Sequence, residues 1–129
     1  MTWMPLEVKR TKDNGIVVLQ CNGMLTIGPG TTVLLEACRE AMAATGTAGL
    51  LIDLAGIERL DSAGMGAMVT VMNECGAKKV GLAIYGMTQR VKELLAITRL
   101  DGVLPCFADA ASARAALTNR ERRAARGSE

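Results

Sequence analysis

The 129-residue chain contains no histidine, the side chain that most often serves as a general base or a zinc ligand. Without a histidine or a Gly-x-Ser-x-Gly turn, the sequence lacks the usual means of activating a serine nucleophile. The Gly-x-x-x-x-Gly-Lys-Ser/Thr loop that binds nucleotide phosphates is also missing. The four cysteines are far apart, form no Cys-x-x-Cys pair and are expected to be buried thiols: Cys21, Cys38, Cys75 and Cys106. The sequence therefore predicts a protein that is not an enzyme and that holds no metal or cofactor.

Aromatic residues are equally scarce, at 2% of the chain, and the formal net charge is only +2. Residues 120–129 carry four Arg and two Glu, so that basic and acidic side chains balance over residues 1–119. Nucleic-acid binding usually needs a basic stripe or a platform of aromatic rings, and neither pattern is present. We therefore expect no direct nucleic-acid binding, and we interpret residues 120–129 as a flexible, Arg-rich C-terminal tail.

Long apolar runs are missing as well. No run approaches the length of about 20 residues that a membrane-spanning helix needs, and the first residues lack the basic-then-apolar order of a signal peptide. Half of the residues are nonetheless apolar, and the eight Met among them are typical of an adaptable core. We expect one cytoplasmic domain over residues 1–119, with no membrane span.

What the sequence does contain is a regular alternation of strand and helix patterns. Residues 6–10 and 16–22 are β-like runs on either side of Asn14-Gly15, a pair that is typical of a hairpin turn. The predicted elements that follow are a helix capped by Thr31 and ending near Gly46, a central strand at 50–54, a helix from the Asp61–Ser62 step to about Gly76, a strand at 80–85, a helix at 89–98, an edge strand at 103–107 and a helix from Asp109 to about Asn119. This order, ββαβαβαβα, predicts a single α/β domain whose mixed β-sheet has four helices packed on it.

One strand-to-helix junction in this pattern places a hydroxyl at an exposed position. The buried run 50–54 leads through a short turn to Asp61 and Ser62, where a helix begins. The ordinary interpretation is that Asp61 or Ser62 caps the helix. The functional hypothesis is that Ser62 is phosphorylated, because the N–H groups and dipole at a helix N-terminus favour a phosphate, although Asp61 opposes it. A phosphate would add roughly −1.5 to −2 charges and would abolish a complementary contact nearby.

The chain resembles the STAS family, named for sulphate transporters and anti-sigma factor antagonists, in two segments of that family's signature. They are Ile52-Asp53-Leu54 and Asp61-Ser62-Ala63-Gly64-Met65-Gly66. The resemblance covers the order of the elements from about Leu6 to Leu117. In that family the serine directly after the Asp is the phosphorylated one, and Ser62 takes that position here. The chain departs from the family pattern at Ala63, where a second Ser is common, and at Gly28-Pro29-Gly30, where the lead into the first helix is usually Asp-rich.

The resemblance implies an anti-sigma factor antagonist. Its unphosphorylated form binds an anti-sigma factor that is also a serine kinase with a histidine-kinase-like ATP fold, and this binding frees the sigma factor. Phosphorylated Ser62 prevents the binding, and a phosphoserine phosphatase resets the switch. The residues expected to form the partner-binding surface are Thr26, Ile27, Asp61, Ser62, Ala63, Gly64, Met65, Met87 and Thr88. Asp53 is expected either to support the Ser62 turn or contact the kinase, or else to bond to loop backbone at a strand end.

Other interpretations stay open on the sequence alone. The same fold serves as a non-catalytic scaffold subunit in a stress-signalling or lipid-transport complex, where no phosphorylation cycle operates. A nucleotide or small apolar ligand at the helix N-terminus and Met-rich core is a third hypothesis. The stripe formed by Met65, Met68 and Met72 is interpreted as core, with Met65 partly exposed. The sequence leaves open whether the chain forms a homo-oligomer.

Overall fold

Strands and helices alternate along residues 6–127, the part of the chain that this computed structural model describes, with side chains described for residues 6–119. The strands are β1 (Leu6–Asp13), β2 (Ile16–Leu25), β3 (Gly49–Leu60) and β4 (Gly81–Tyr85), and the helices are α1 (Pro29–Ala43), α2 (Ser62–Lys78), α3 (Gln89–Ile97) and α4 (Ala110–Gly127). A short 3-10 helix, Leu100–Gly102, follows α3. The predicted fold class, a single α/β domain with a mixed sheet, and its order of elements are confirmed.

The opening hairpin has the turn that its sequence predicts. Asn14 and Gly15 both have positive φ, at 51° and 81°, which is the backbone of a two-residue type I′ turn. This turn matches the right-handed twist of the strands that it joins, and β1 pairs with β2 antiparallel from Asp13↔Ile16 to Leu6↔Gly23. Both strands are longer than predicted, because pairing continues after the strongly β-like residues end.

The sheet has the order β1-β2-β3-β4, and β3 is parallel to both of its neighbours. The predicted central position of β3 is therefore confirmed. Its pairing with β4 ends at Asp53↔Tyr85, whereas its pairing with β2 continues to Leu25↔Leu60. The carboxyl ends of β2 and β3 thus meet beyond the end of β4, and the chain leaves this edge to enter α1 and α2.

Side chains of β3 alternate between two helical layers. Leu50, Ile52 and Leu54 face the larger core, which is formed with buried residues of α1, α2 and α3. Leu51 faces the other side, where Ala113 and Leu117 of α4 cover the sheet. Covering both faces explains why this strand is an almost continuous apolar run.

Most of the cysteine and methionine side chains that were expected to be buried lie in the larger core. Cys21, Cys38 and Cys75 are buried, and burial raises the pKa of Cys21 to about 12. The expectation that all four cysteines are buried is wrong for Cys106, which is only half-buried because it lies at the sheet edge.

Several local boundaries differ from prediction. The cap of α1 is Gly28, with Pro29 in the first turn, and the predicted cap Thr31 instead donates its hydroxyl proton to the Gly28 carbonyl at 2.9 Å. The edge strand expected at 103–107 is reduced to one parallel bridge between Ile84 and Cys106. Helix α4 continues to Gly127, past the predicted end near Asn119.

Candidate functional site

The first turn of α2 is fixed by Asp61. Its backbone is extended, and its Oδ1 accepts a hydrogen bond from the backbone N–H of Gly64 at 2.9 Å. Asp61 is therefore the N-cap, as the ordinary interpretation of this junction predicts, and Ser62 is the first helical residue. Ser62 is exposed, so that its hydroxyl stands on the surface at a position that the cap defines.

The same carboxylate also holds the loop that follows β2. Oδ2 of Asp61 accepts a hydrogen bond from the backbone N–H of Ile27 at 2.9 Å, and the backbone N–H of Asp61 donates to the Leu25 carbonyl at 3.4 Å. The hydrogen bonds from Ile27 and Gly64 lower the pKa of Asp61 below its usual range, since they stabilise the charged form. Asp61 is thus an ionised bridge between the β2–α1 loop and the start of α2.

Glycines allow the close packing that this bridge requires. A Cβ atom at Gly64 would collide with the carbonyl oxygen of Leu25 and would lie 2.8 Å from Cδ1 of Leu60. A Cβ atom at Gly30, in the first turn of α1, would lie 2.5 Å from the Met24 carbonyl oxygen. The two helix starts can therefore lie directly on the end of β2 only because these positions lack a side chain.

The bridge changes the expected environment of a phosphate on Ser62. In the hypothesis from the sequence, the N–H groups of the first helical turn bond to the phosphate. However, Asp61 already accepts a hydrogen bond from the Gly64 N–H, and a hydrogen bond from the Ala63 backbone also lowers the pKa of Asp61. A phosphate on Ser62 would instead project from the surface beside an ionised carboxylate. Its effect on a partner would come from added negative charge rather than from a tighter helix start.

The predicted partner-binding residues near Ser62 do lie together. Ile27 is 79% exposed, and its backbone is bonded to Asp61. Thr26, directly before Ile27, and Ala63, directly after Ser62, are half-buried, and Gly64 is buried. Met65 is only 7% exposed, so the expectation of a partly exposed Met65 is wrong: the side chain packs with Met68 in the core.

Met87 and Thr88 lie elsewhere along the sheet. They follow β4, which ends level with Asp53, and Gly86 lies against Asp53 and Ala55. From that level β3 continues to Leu60, opposite the β2 stretch from Gln20 to Leu25, which spans roughly 16 Å. Thr88 caps α3 by accepting a hydrogen bond from the Val91 N–H at 3.3 Å. The pairing register thus separates these two residues from the Ser62 turn along the strand direction.

Asp53 bonds locally within β3. Its Oδ1 accepts a hydrogen bond from the backbone N–H of Ala55 at 2.8 Å. The Asp53 carboxylate also affects Tyr85 on the face toward α4. Burial raises the pKa of Tyr85 most, and the negative charge of Asp53 raises it further. Asp53 therefore bonds to backbone, but to that of β3 itself rather than to a loop at a strand end, and the contacts that hold the Ser62 turn come from Asp61.

A segment that the sequence did not assign to the site adjoins it. The Oγ1 atom of Thr98, directly after α3, lies 3.6 Å from the Sδ atom of Met65. Thr98 follows Ile97, which is 78% exposed. Thr98 is a polar residue at an inward-facing position of the α3 pattern. Such a residue indicates that the helix ends at a surface rather than in the core.

A separate open groove of about 500 Å³ lies between α3 and the segment that precedes α4. Its apolar lining includes Met87, Leu95 and Phe107, and Lys92 and Asp101 contribute charge. Of the predicted partner-binding residues, only Met87 lines it.

Two further features concern the described part of the chain, residues 6–127. There, no group of three or more His, Cys, Asp or Glu residues is arranged to hold a metal ion. None of the helices described in that range is both long and apolar enough to cross a membrane.

Comparison with known proteins identifies the family. The STAS domain profile matches residues 7–113, and the chain belongs to this family. No curated protein matches the chain significantly.

Solved structures share the fold. An anti-sigma factor antagonist from Mycobacterium paratuberculosis superposes with a TM-score of 0.77 at 20% identity, covering 88% of this chain and 94% of its own. The anti-sigma factor antagonist SpoIIAA in its unphosphorylated form gives 0.67 at 13% identity over 82% and 92% of the two chains. The Bacillus cell fate determinant SpoIIAA in the phosphorylated form gives 0.61 at 12% identity over 82% and 96%. The chain is therefore a STAS domain with structural similarity to anti-sigma factor antagonists.

Proposed function

We propose that this STAS domain is an anti-sigma factor antagonist whose binding surface is switched by phosphorylation of Ser62. The unphosphorylated form binds an anti-sigma factor serine kinase and frees the sigma factor. Phosphorylation by the kinase ends the binding, and a phosphoserine phosphatase restores it. The fold similarity to SpoIIAA, described in both unphosphorylated and phosphorylated forms, supports this proposal.

The observation that carries the proposal is the exposed Ser62 directly after the clamped Asp61. A kinase substrate needs a hydroxyl that reaches the kinase in a defined position, and the bonds from Asp61 to Ile27 and Gly64 hold the backbone at that position. The hydroxyl is the first side chain of α2, and the two residues around it are small or polar. A partner can therefore approach Ser62 closely.

The charge change explains how a small modification would act on a large surface. Unmodified Ser62 is neutral and can be covered by a partner at little cost. A phosphate there brings about two negative charges next to an ionised carboxylate, and burying uncompensated charge costs several kcal/mol. Because the Gly64 N–H already bonds to Asp61, this donor is not available to compensate the phosphate.

The test combines phosphorylation with binding. The purified chain is incubated with ATP and each candidate serine kinase from its source, and intact mass is measured for the wild type, Ser62→Ala and Ser112→Ala. Ser112 is a matched control because it is also exposed, in the first turn of a helix capped by an aspartate, with its N–H bonded to Asp109 at 2.8 Å. We expect one phosphate on the wild type and on Ser112→Ala, and none on Ser62→Ala.

The binding half of the test uses the same kinase. Unphosphorylated chain should bind it, and phosphorylated chain and Ser62→Glu should bind at least about tenfold more weakly. Binding that no Ser62 substitution alters, with no phosphate transferred, would refute the switch and favour a scaffold subunit.

A further inference from the structure

Strand β1 lies at the edge of the sheet, and only one of its two sides is paired. All of its residues pair with β2, and within the described part of the chain β1 has no second neighbouring strand. An edge strand of this kind presents a row of backbone N–H and C=O groups with which another strand can pair. Because proteins often use charged side chains to prevent such pairing, the charges of β1 determine what its edge can accept.

The hairpin turn determines which residues of β1 have outward-facing backbone groups. A two-residue turn is flanked by a pair that exchanges two hydrogen bonds, here Asp13 and Ile16. Such pairs alternate along an antiparallel ladder, so every second residue of β1, counted back from Asp13, bonds to β2. The backbone groups that face outward are therefore those of Leu6, Val8, Arg10 and Lys12.

The side chains at the start of β1 form a charge pattern around Val8. Glu7 and Lys9 are exposed and lie on the same face of the strand, one on each side of Val8. Val8 is half-buried on the opposite face, where it packs against the larger core. Opposite charges stabilise directly facing positions of paired strands, and like charges destabilise them. This stretch is therefore complementary to a second copy of itself that runs in the reverse direction.

The charges select one register for such a pair. In a two-fold symmetric antiparallel pair, one residue faces its own copy. If that residue is Val8, Glu7 of each copy faces Lys9 of the other. Centring the pair on any charged residue of β1 would set two like charges opposite each other, and centring it on Thr11 would set two basic residues opposite each other. Val8 is thus the centre that the charge pattern favours.

The backbone geometry agrees with this register. Val8 has outward-facing groups, so it would exchange two hydrogen bonds with its own copy. Leu6 and Arg10 would exchange two more on either side of the centre, which makes roughly six backbone hydrogen bonds. Glu7 and Lys9 would form the non-hydrogen-bonded pairs, in which facing side chains are closest.

A groove beside β1 would receive one further side chain of the second copy. This groove of about 250 Å³ lies between β1 and α1, and Glu7, Glu36 and Glu40 contribute negative charge to its lining. None of the described residues that line it is basic. In the register centred on Val8, Arg10 of the second copy would face Leu6, which also lines the groove. The pairing therefore brings a cation to an acidic groove.

We propose that β1 is a self-association edge, at which two copies of this chain pair antiparallel with Val8 at the centre. The pairing joins two four-stranded sheets into one. The occupant is a second copy because the charge pattern of residues 6–10 matches its own reverse. The interface uses none of the residues of the Ser62 site, and it does not depend on the proposed switch. Since the paired stretch is short, the dimer should dissociate on dilution.

Sedimentation velocity over a dilution series tests the charge pairing. Glu7→Lys and Lys9→Glu should each weaken dimerisation about tenfold, because each sets like charges opposite each other at two places. An equal mixture of the two variants should dimerise like the wild type, since every lysine then faces a glutamate. Lys92→Glu is the matched control: it makes the same charge change at an exposed position of α3, which follows the strand at the other edge of the sheet. It should leave dimerisation unchanged.

Amide hydrogen exchange tests the register. The amides of Leu6, Val8 and Arg10 should become protected as the protein concentration rises. The amide of Lys12 also faces outward, but it lies beyond the paired stretch and should stay unprotected. Protection of Lys12 would overturn the register, because it requires a pair centred further along β1.

Three other results would overturn the proposal. The first is a wild type that sediments as a monomer up to roughly 1 mM. The second is a dimer that Glu7→Lys and Lys9→Glu leave intact, because its surface would then lie elsewhere. The third is a mixture of these two variants that stays monomeric although circular dichroism shows both to be folded, since complementary charges would then have failed to restore the pair.

Discussion

Asp61 and Ile27 are 34 residues apart in the chain, yet Oδ2 of the first accepts a hydrogen bond from the backbone N–H of the second at 2.9 Å. The other oxygen of the same carboxylate caps α2 through Gly64. One side chain therefore sets both the conformation of the helix start and the position of the neighbouring loop. The proposed phosphorylation site, Ser62, and the predicted partner-binding residue Ile27 are coupled through Asp61.

The first prediction concerns this double role. Asp61→Ala should lower the urea midpoint of unfolding, and it should also slow phosphorylation of Ser62 on the order of tenfold, because the hydroxyl loses its fixed position. Asp109→Ala is the matched control, since Asp109 caps α4 through Ser112 and is distant in sequence from the site. It should lower the midpoint without slowing phosphorylation. Equal phosphorylation rates in the two variants would show that the bridge does not position Ser62.

The second prediction is a pH dependence. The folded-state pKa of Asp61 is lowered by its bonds to Ile27 and Gly64, so the stability that it adds is fully present above about pH 4. That stability is lost as the pH falls through the lowered folded-state pKa, where the folded protein also takes up the proton. Urea midpoints measured from pH 7 down to pH 2 should therefore fall more steeply for the wild type than for Asp61→Asn.

Glu74 and Asp109 also lower the urea midpoint as the pH falls, in both the wild type and Asp61→Asn. The pKa of Glu74 is lowered by its bidentate bond to Arg39, and that of Asp109 by its bonds to Ser112, so both variants should still lose some stability in acid. The difference between wild type and Asp61→Asn should vanish at the lowest pH. Parallel curves over the whole range would contradict an ionised Asp61 bridge.

The third prediction contrasts three glycines of α2. Gly66→Ala and Gly76→Ala should each stabilise the fold by about 0.5–1 kcal/mol, because alanine is the better helix former and a Cβ atom at either position meets nothing within 4 Å. Gly64→Ala should destabilise it by about 2 kcal/mol or more, since its Cβ would collide with the Leu25 carbonyl oxygen. Urea unfolding of the three variants measures these changes, and a stable Gly64→Ala would mean that α2 does not lie against the end of β2.

The fourth prediction concerns thiol accessibility. Cys21, Cys38 and Cys75 are buried and Cys106 is half-buried, and burial also raises the pKa of Cys106. Iodoacetamide at pH 8 should therefore alkylate the native protein slowly and at Cys106 alone, whereas all four thiols react in urea. Intact-mass spectrometry of the wild type and Cys106→Ser counts the labels. A label on native Cys106→Ser would show that the core opens more easily than its packing suggests.

Features encoded by neighbouring residues were predictable. Asn14-Gly15 specifies a type I′ turn through the positive φ that both residues tolerate, and Asp61 caps α2 through an atom only three residues away. The buried run 50–54 has the length and composition of a strand covered on both faces. These predictions succeeded because each depends on a local preference that no distant contact overrides.

Features that depend on strand register were not predictable from the sequence. The apolar pattern of β3 ends near Leu54, yet pairing with β2 continues to Leu60, since backbone hydrogen bonds need no apolar side chain. That extension places Met87 and Thr88 well short of the Ser62 turn. The burial of Met65 and its contact with Thr98 likewise follow from how α3 packs, and helix periodicity cannot specify which helix end meets which neighbour.

The order of the elements, the hairpin and the capped helix start that exposes Ser62 could thus be inferred from neighbouring residues alone. Each of these is encoded within a few residues by turn chemistry, capping and periodicity. Two contacts became apparent only in the folded chain: Asp61 also holds Ile27, and Thr98, directly after α3, contacts Met65. Those contacts join segments more than 30 residues apart, and the sheet register and helix packing that create them are properties of the whole fold.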